Sequence, residues 1–339
     1  PVLVKMLAQA AVNQEEGPFG GFRLSDQELY ELDLAAWLHD IGKIVTPEHV
    51  VEKATKLETI YNRIHEIRTR FEVMLRDAEI DMLRRQLAGD DKTQCQADFD
   101  ARRNELHQQF ELVAQCNIGS ENIDLKTIVD IRDIATQNWQ RNFDRTAGLS
   151  WAESSRISPE EAAILSQPGP EPLLSDRPDQ VYSHINKGEI YNLSIPRGTL
   201  TPEERTIINN HVVLTQDMLA QLPFPSGLQN VPVIAGNHHE KMDGPGYPCG
   251  LKGDQMGTLE KILVIADIFE ALTAVDRPYK KPKMLSESID LLGTMRDQGK
   301  IDSDLFELFL TSGAYRDYGD TYLRPDQRDD VDIKRYIRR

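Results

Sequence analysis

Apolar positions along this chain recur at helical spacing almost throughout, and few segments alternate as strands do. Val2 to Val12 predicts a first helix. A loop with Gly17, Gly20 and Gly21 follows. Ser25 then opens SDQE, a capping box that starts a second helix running through Leu38 and delivering His39 and Asp40 at its C-terminal end. From about Lys56 to Cys116, Ile60, Ile64, Ile67, Phe71 and Met74 form the seam of a helix packed on another helix. The polar stretch Ala88-Gly89-Asp90-Asp91 breaks it, and a second helix, roughly Gln94 to Val113, carries Phe99, Leu106, Phe110 and Val113. The pair reads as an antiparallel helical hairpin, with a surface for a partner left open. Asp124 to Trp139 predicts another helix, and the Ser- and Pro-rich stretch Ser166 to Pro178 a surface loop. Thr201-Pro202-Glu203-Glu204 is a helix start for a segment running through His211 to Leu222. An apolar helix follows at Leu259 to Ala274, and helical patterns continue from about Leu285. The fold class expected is all-α.

Composition narrows the possible partners. With 339 residues and a net charge of −16, the surface is unsuited to wrapping a nucleic-acid polymer, which needs basic patches. A small anionic substrate remains compatible if metal ions supply local positive charge. Cys95, Cys116 and Cys249 are too sparse for a disulfide framework, which suits a reducing cytoplasm. No apolar run approaches the ~20 residues a membrane helix needs. The chain opens on Pro1, not Met, directly inside a helical pattern. The expectation is the C-terminal piece of a longer protein.

Ligand-type residues are scattered through this helical background. His238 and His239 precede Asp243 and a Gly-Pro loop containing Gly244, Gly246, Tyr247 and Pro248. Neighbouring side chains on a helix diverge by ~100°, so adjacent histidines suit two different metals or two different tasks. His39-Asp40 lies in LHDIGK, and a carboxylate beside a His can bridge two cations through its two oxygens. The alternative is a His placed at a helix C-terminus by the dipole. His211 sits among Ile207, Ile208, Val212 and Leu214, where a core His satisfied by one carbonyl is the competing reading. Asp267 lies in KILVIADIFEALTA, where a buried carboxylate is costly unless it is paired or metal-bound. Its alternative is an exposed place on a polar stripe with Glu260 and Glu270. Arg277, Tyr279 and Lys280 suit phosphate or base contacts, or a solvated basic turn. His49, His65, His107 and His184 lack such company.

HDIGK (His39 to Lys43), the His211 helix, HHEKMDGPGYP (His238 to Pro248) and IADIFEALTAVDRPY (Ile265 to Tyr279) together resemble the HD-GYP family of HD-superfamily metal-dependent phosphohydrolases. The resemblance covers about Pro1 to Lys56 and Tyr191 to Tyr279. It implies an all-α HD-domain helical bundle. The domain would be split into residues 1–55 and 191–339 by a helical insertion at 56–190. It implies two or three divalent ions, iron or manganese, held by His39, Asp40, His211, His238, His239 and Asp267, with Asp40 bridging. Asp40 and Lys43 would be catalytic, and Lys43, Arg277, Lys280 and Tyr247 would contact substrate. The reaction implied is hydrolysis of cyclic di-GMP to pGpG and onward to GMP. The alternatives are 3′,3′-cyclic GMP-AMP as substrate, another nucleotide phosphohydrolase, or a signalling module that binds without turnover. Control by an upstream sensor domain, membrane-attached or not, and a homodimer are compatible with it. The family has a further His before the HD pair, and trinuclear members add a Glu. This chain has no His before His39, so those ligands are expected upstream.

Overall fold

The computed structural model describes residues 1–59, 61–119, 122–177, 187–275 and 282–337. Two compact units divide the chain: Pro1–Val51 with Thr206–Arg339, and Glu52–Arg205. Among the described residues the structure is helical, apart from one two-stranded sheet and isolated bridges.

The first unit begins with helix Val2–Val12. Helix Asp26–Leu38 is started by Ser25, whose side chain and that of Glu28 each take the other's backbone N–H. Leu3, Leu7 and Ala11 of the first helix share one core with Leu32, Ala35 and Ala36 of the second. The apolar helix Thr258–Thr273 contributes Ile262, Ile265 and Phe269 to that core. Helices Leu285–Asp297, Ser303–Thr311 and Ala314–Tyr322 close it, with the ring of Phe269 edge-on to Phe309 at 5.1 Å between centroids. The segment expected as one helix from Thr201 to Leu222 is two, Pro202–Asn209 and His211–Ala220. The chain passes from the second unit back to the first within Pro202–Asn209.

In the second unit the expected hairpin is formed by Ile64–Ala88 and Lys92–Ile118. Gly89 ends the first helix at φ 101°, a left-handed conformation that favours glycine. Asp91 caps the second helix by accepting from the Gln94 amide. Ile64, Ile67, Phe71 and Met74 pack against Leu106, Val113 and Cys116; Ile60 lies outside the described residues. Two local expectations fail here. The helix after Asp124 ends at Ala135, and Trp139 belongs to a strand, Asn138–Arg141, paired antiparallel with Gly169–Pro172. The stretch expected as a surface loop therefore supplies that second strand, followed by Leu173 and Leu174, both fully buried. A four-residue strand is too short to show alternation, and Pro170 and Pro172 fit a two-stranded ribbon, in which every strand is an edge.

Glu204, at the expected helix start, is buried. Lys53 donates to both of its carboxylate oxygens at 2.9 and 2.8 Å, and to Asn192 Oδ1 at 3.0 Å. Lys56, also fully buried, donates to the carbonyls of Leu193 and Ile195. Burial lowers the pKa of both lysines, Lys56 to about 8, while Glu204 opposes the effect on Lys53. Removing one partner of a buried pair strands the other charge. Glu204→Ala is therefore expected to cost about 3–5 kcal/mol in urea unfolding, and the double replacement Lys53→Met with Glu204→Leu to recover most of that loss.

Candidate metal centre

Three helix ends each present one histidine. Helix Asp26–Leu38 ends at His39, helix Pro202–Asn209 is followed by His211, and helix Val231–Gly236 by His238. Each ring uses Nδ1 on the carbonyl three residues earlier: His39 on Ala36 at 2.9 Å, His238 on Ala235 at 2.6 Å, and His211 on Ile208. Carbonyls of a helix's last turn lack intrahelical donors. A carbonyl can only accept, so Nδ1 carries the proton and Nε2 keeps its lone pair.

Those lone pairs converge on carboxylates. His211 Nε2 lies 3.1 Å and His238 Nε2 3.8 Å from Asp40 Oδ1. His39 Nε2 is 3.4 Å from both Asp40 Oδ2 and Asp267 Oδ1. None of the three Nε2 atoms, nor Asp40 Oδ1, makes a hydrogen bond of acceptable geometry, although all four are buried. Acceptors facing acceptors in a buried space call for a cation between them. His211, His238 and His239 form one group of potential ligands and His39, Asp40 and His238 another, each with donor atoms within 4.8 Å of one another. The oxygen and imidazole donors, without thiolate, suit a divalent ion.

The electrostatics agree. Burial would raise the Asp40 carboxyl, but His211, His39 and Lys43 outweigh it and hold it far below the usual carboxylate range. Burial would likewise raise Asp267, which His39, His238 and His239 hold below its ordinary value. Burial pushes His238 down to about 4; burial and then His238 push His239 to about 3. Both rings are thus neutral and ligand-ready at physiological pH. His39 moves the other way: burial opposes its charge, but Asp267 and Asp40 raise it. A proton and a metal ion compete for that lone pair.

The expected metal ligands lie among the described residues. His39, Asp40, His211, His238, His239 and Asp267 all come together. Lys43 Nζ is held on Asp40 Oδ2 at 2.6 Å. Tyr247 stacks on His239, ring centroids 4.8 Å apart, and donates its hydroxyl to Asn209. Asp243 bridges to Lys252 in an isolated antiparallel pair. Arg277, Tyr279 and Lys280 lie outside the described residues, as does His184; His65 and His107 are exposed.

Sequence reading missed three supports. Glu240, next to the His pair, is buried and accepts the amides of Cys249, Gly250 and Leu251 at 2.7, 3.0 and 2.9 Å, pinning the loop after Tyr247. An acid directly after the His pair and four residues before Gly244 was the available signal. Asn237 donates to Glu260, which also accepts the Gly257 amide, so Glu260 ties the His238 segment to the Asp267 helix. Thr215 donates to the His39 carbonyl and accepts from the Gly42 amide; nothing in the sequence signalled it. A Cβ on Gly42 would sit 2.0 Å from the His211 carbonyl oxygen and 2.7 Å from the Thr215 amide, so only glycine lets these backbones meet.

Comparison with known proteins agrees with this geometry. The family model for the HD domain matches residues 183–305. A cyclic di-GMP phosphodiesterase of Thermotoga maritima is 28% identical over 282 residues, covering 82% of this chain and 68% of its own length. A 3′3′-cGAMP-specific phosphodiesterase of Vibrio cholerae is 35% identical over 113 residues, 33% of this chain and 25% of the relative. A cyclic di-GMP phosphodiesterase response regulator of Xanthomonas campestris is 30% identical over 182 residues, 51% of this chain and 42% of the relative. The chain thus spans a quarter to about two thirds of the length of these relatives. Residues 183–305 thus match an HD domain, and these relatives are consistent with the HD-GYP family. Among the described residues no helix is long and apolar enough to cross a membrane.

Gly42→Ala is expected to force the Ile41–Val45 turn off helix His211–Ala220, costing about 1–3 kcal/mol as overpacking does. Bound metal per chain should fall while circular dichroism stays helical. In chelator-treated protein, His238 and His239 have folded pKa values below the unfolded 6.5. Their contribution to stability is complete above pH 6.5 and is lost as pH falls toward about 4 and about 3. His39, with a raised pKa, opposes them, one group against two. The melting temperature should therefore fall between pH 7 and pH 4.

Proposed function

We propose that this chain is the catalytic part of a metal-dependent phosphodiesterase that hydrolyses a bacterial cyclic dinucleotide, converting cyclic di-GMP to linear pGpG and, by a second cut, to GMP. The observation that carries the reading is the pair of overlapping donor groups, joined at His238 and flanking the two oxygens of Asp40. The names of the Thermotoga and Xanthomonas relatives support the substrate. Residues 56–190, within the unit Glu52–Arg205, would be an insertion into that catalytic domain. Control by a linked sensor and a cytoplasmic location belong to the same reading.

His39, Asp40, His211, His238, His239 and Asp267 would hold two divalent ions, or three, of the iron or manganese kind. When bound, such ions polarise phosphoryl oxygens and acidify a water. The protein's own contribution is placement. Asp40 turns Oδ1 toward His211 and His238, and Oδ2 toward His39 and Lys43, so one carboxylate spans both donor groups. The Lys43 ammonium, about a third exposed, sits where it can exchange Asp40 for a substrate phosphate and stabilise charge developing on its oxygens. Tyr247 braces His239, and Glu240 holds the following loop, so the wall beside the donors is preorganised. Arg277 and Lys280 complete the reading as nucleotide contacts.

Asp40→Ala is expected to abolish metal retention and hydrolysis together. The assay is metal analysis of anaerobically purified protein, with product analysis on cyclic di-GMP and 3′,3′-cyclic GMP-AMP side by side. Unchanged cyclic di-GMP hydrolysis by that variant removes the catalytic assignment; turnover of neither substrate by fully metallated protein favours a binding module. Lys43→Ala should keep its metal and lose on the order of 10²-fold in kcat.

A further inference from the structure

The second unit contains a cavity of about 460 Å³ lined by Arg63, Arg70, Trp139, Arg141 and Arg145, with Glu171 and Asp176 also on its wall. Four arginines around one concavity are unexpected in a chain of net charge −16. The fold gathers them. Arg63 and Arg70 are seven residues apart at the start of the long helix, two turns along one face. Trp139 and Arg141 are two apart on a strand and share its inward face. Arg145 comes from the loop beyond.

Carboxylates face these guanidiniums but leave some of their N–H donors uncommitted in the described hydrogen bonds. Buried Glu189 serves both Arg63 at 3.1 Å and Arg70 at 2.8 Å. Glu171 serves both Arg141 and Arg145, each at 2.9 Å. Glu66, more exposed, adds a contact to Arg63 at 3.0 Å and a longer one to Arg70 at 3.8 Å. Burial pushes the Glu66 and Asp176 carboxyls up from their ordinary values. Burial lowers the Arg63 guanidinium despite Glu189, and Arg70 and Arg177 add repulsion. A guanidinium has five N–H donors. Arg145 commits one side-chain donor in the described hydrogen bonds, to Glu171, and Arg141 commits two, to Glu171 and the Phe143 carbonyl. The volume lies in the range of small-molecule sites. Guanidiniums match phosphate, and an indole offers a flat face to a planar ring.

We propose that this cavity is a nucleotide-binding site in the second unit, taking phosphate on Arg145 and its neighbouring arginines and the base against Trp139. It does not depend on the phosphodiesterase reading. The test uses the whole chain with Trp37→Phe and Trp151→Phe, leaving Trp139 as the remaining one of three tryptophans, in chelator to silence the metal centre. GMP, GTP and inorganic phosphate are titrated while Trp139 emission is followed. Saturable quenching by a nucleotide is expected, with phosphate alone binding more weakly. Arg145→Glu, a substitution at a side chain 57% exposed, should weaken the nucleotide roughly tenfold, the scale of one charge-assisted hydrogen bond. Arg145→Ala serves in its place if circular dichroism shows Arg145→Glu misfolded. Calorimetry on Trp139→Leu should show weaker nucleotide binding with phosphate binding kept. No saturable binding, or binding indifferent to the Arg145 change, overturns the site; phosphate binding as tightly as GMP overturns its assignment to nucleotides.

Discussion

Three imidazoles, each locked by Nδ1 to a helix-end carbonyl, aim their Nε2 atoms at carboxylate oxygens in a buried space. That arrangement is unfavourable by itself, because acceptors face acceptors where water is scarce. A divalent cation placed there would convert the conflict into coordination. The surrounding bundle is arranged to hold this constraint. Helix ends supply the carbonyls, and their rigidity transmits to ring orientation what a flexible loop could not.

Holding six side chains from four stretches of sequence requires backbones to approach closely. Gly42 allows the turn after Asp40 to meet the His211 helix, and Thr215 ties the contact with two hydrogen bonds. Asn237 and Glu260 join the segment bearing His238 to the helix bearing Asp267. Glu240 spends both carboxylate oxygens on backbone amides of the glycine-rich loop, so Tyr247 lies flat on His239. The apolar core behind, centred on Ile262, Ile265 and Phe269, keeps Asp267's helix in place.

The second unit follows different physics. Its hairpin and short sheet close a smaller core, and its polar groups are organised as buried pairs such as Lys53 with Glu204 and shared carboxylates such as Glu189 and Glu171. Such pairs contribute less to stability than to fixing which groups meet. Here they set four arginines and an indole around one cavity.

Much of this was legible from local signals. The first two helices, the Ser25 cap, both arms of the hairpin and the apolar helix around Asp267 follow from periodicity and capping chemistry, which act within a few residues and so leave a trace in the sequence. The six ligand-type residues were also visible, because His and Asp in apolar or glycine-rich surroundings are costly without a partner. Other features left no such trace. The strand bearing Trp139 is too short to alternate. Glu204 read only as part of a helix start, and its buried partner Lys53 comes from about 150 residues away. Thr215 looked like any helical threonine. The sequence by itself determined which side chains could ligate and which helices would carry them. Only the tertiary structure decided that the Nε2 atoms converge on the two oxygens of Asp40, because convergence depends on contacts between segments up to two hundred residues apart, which no local pattern encodes.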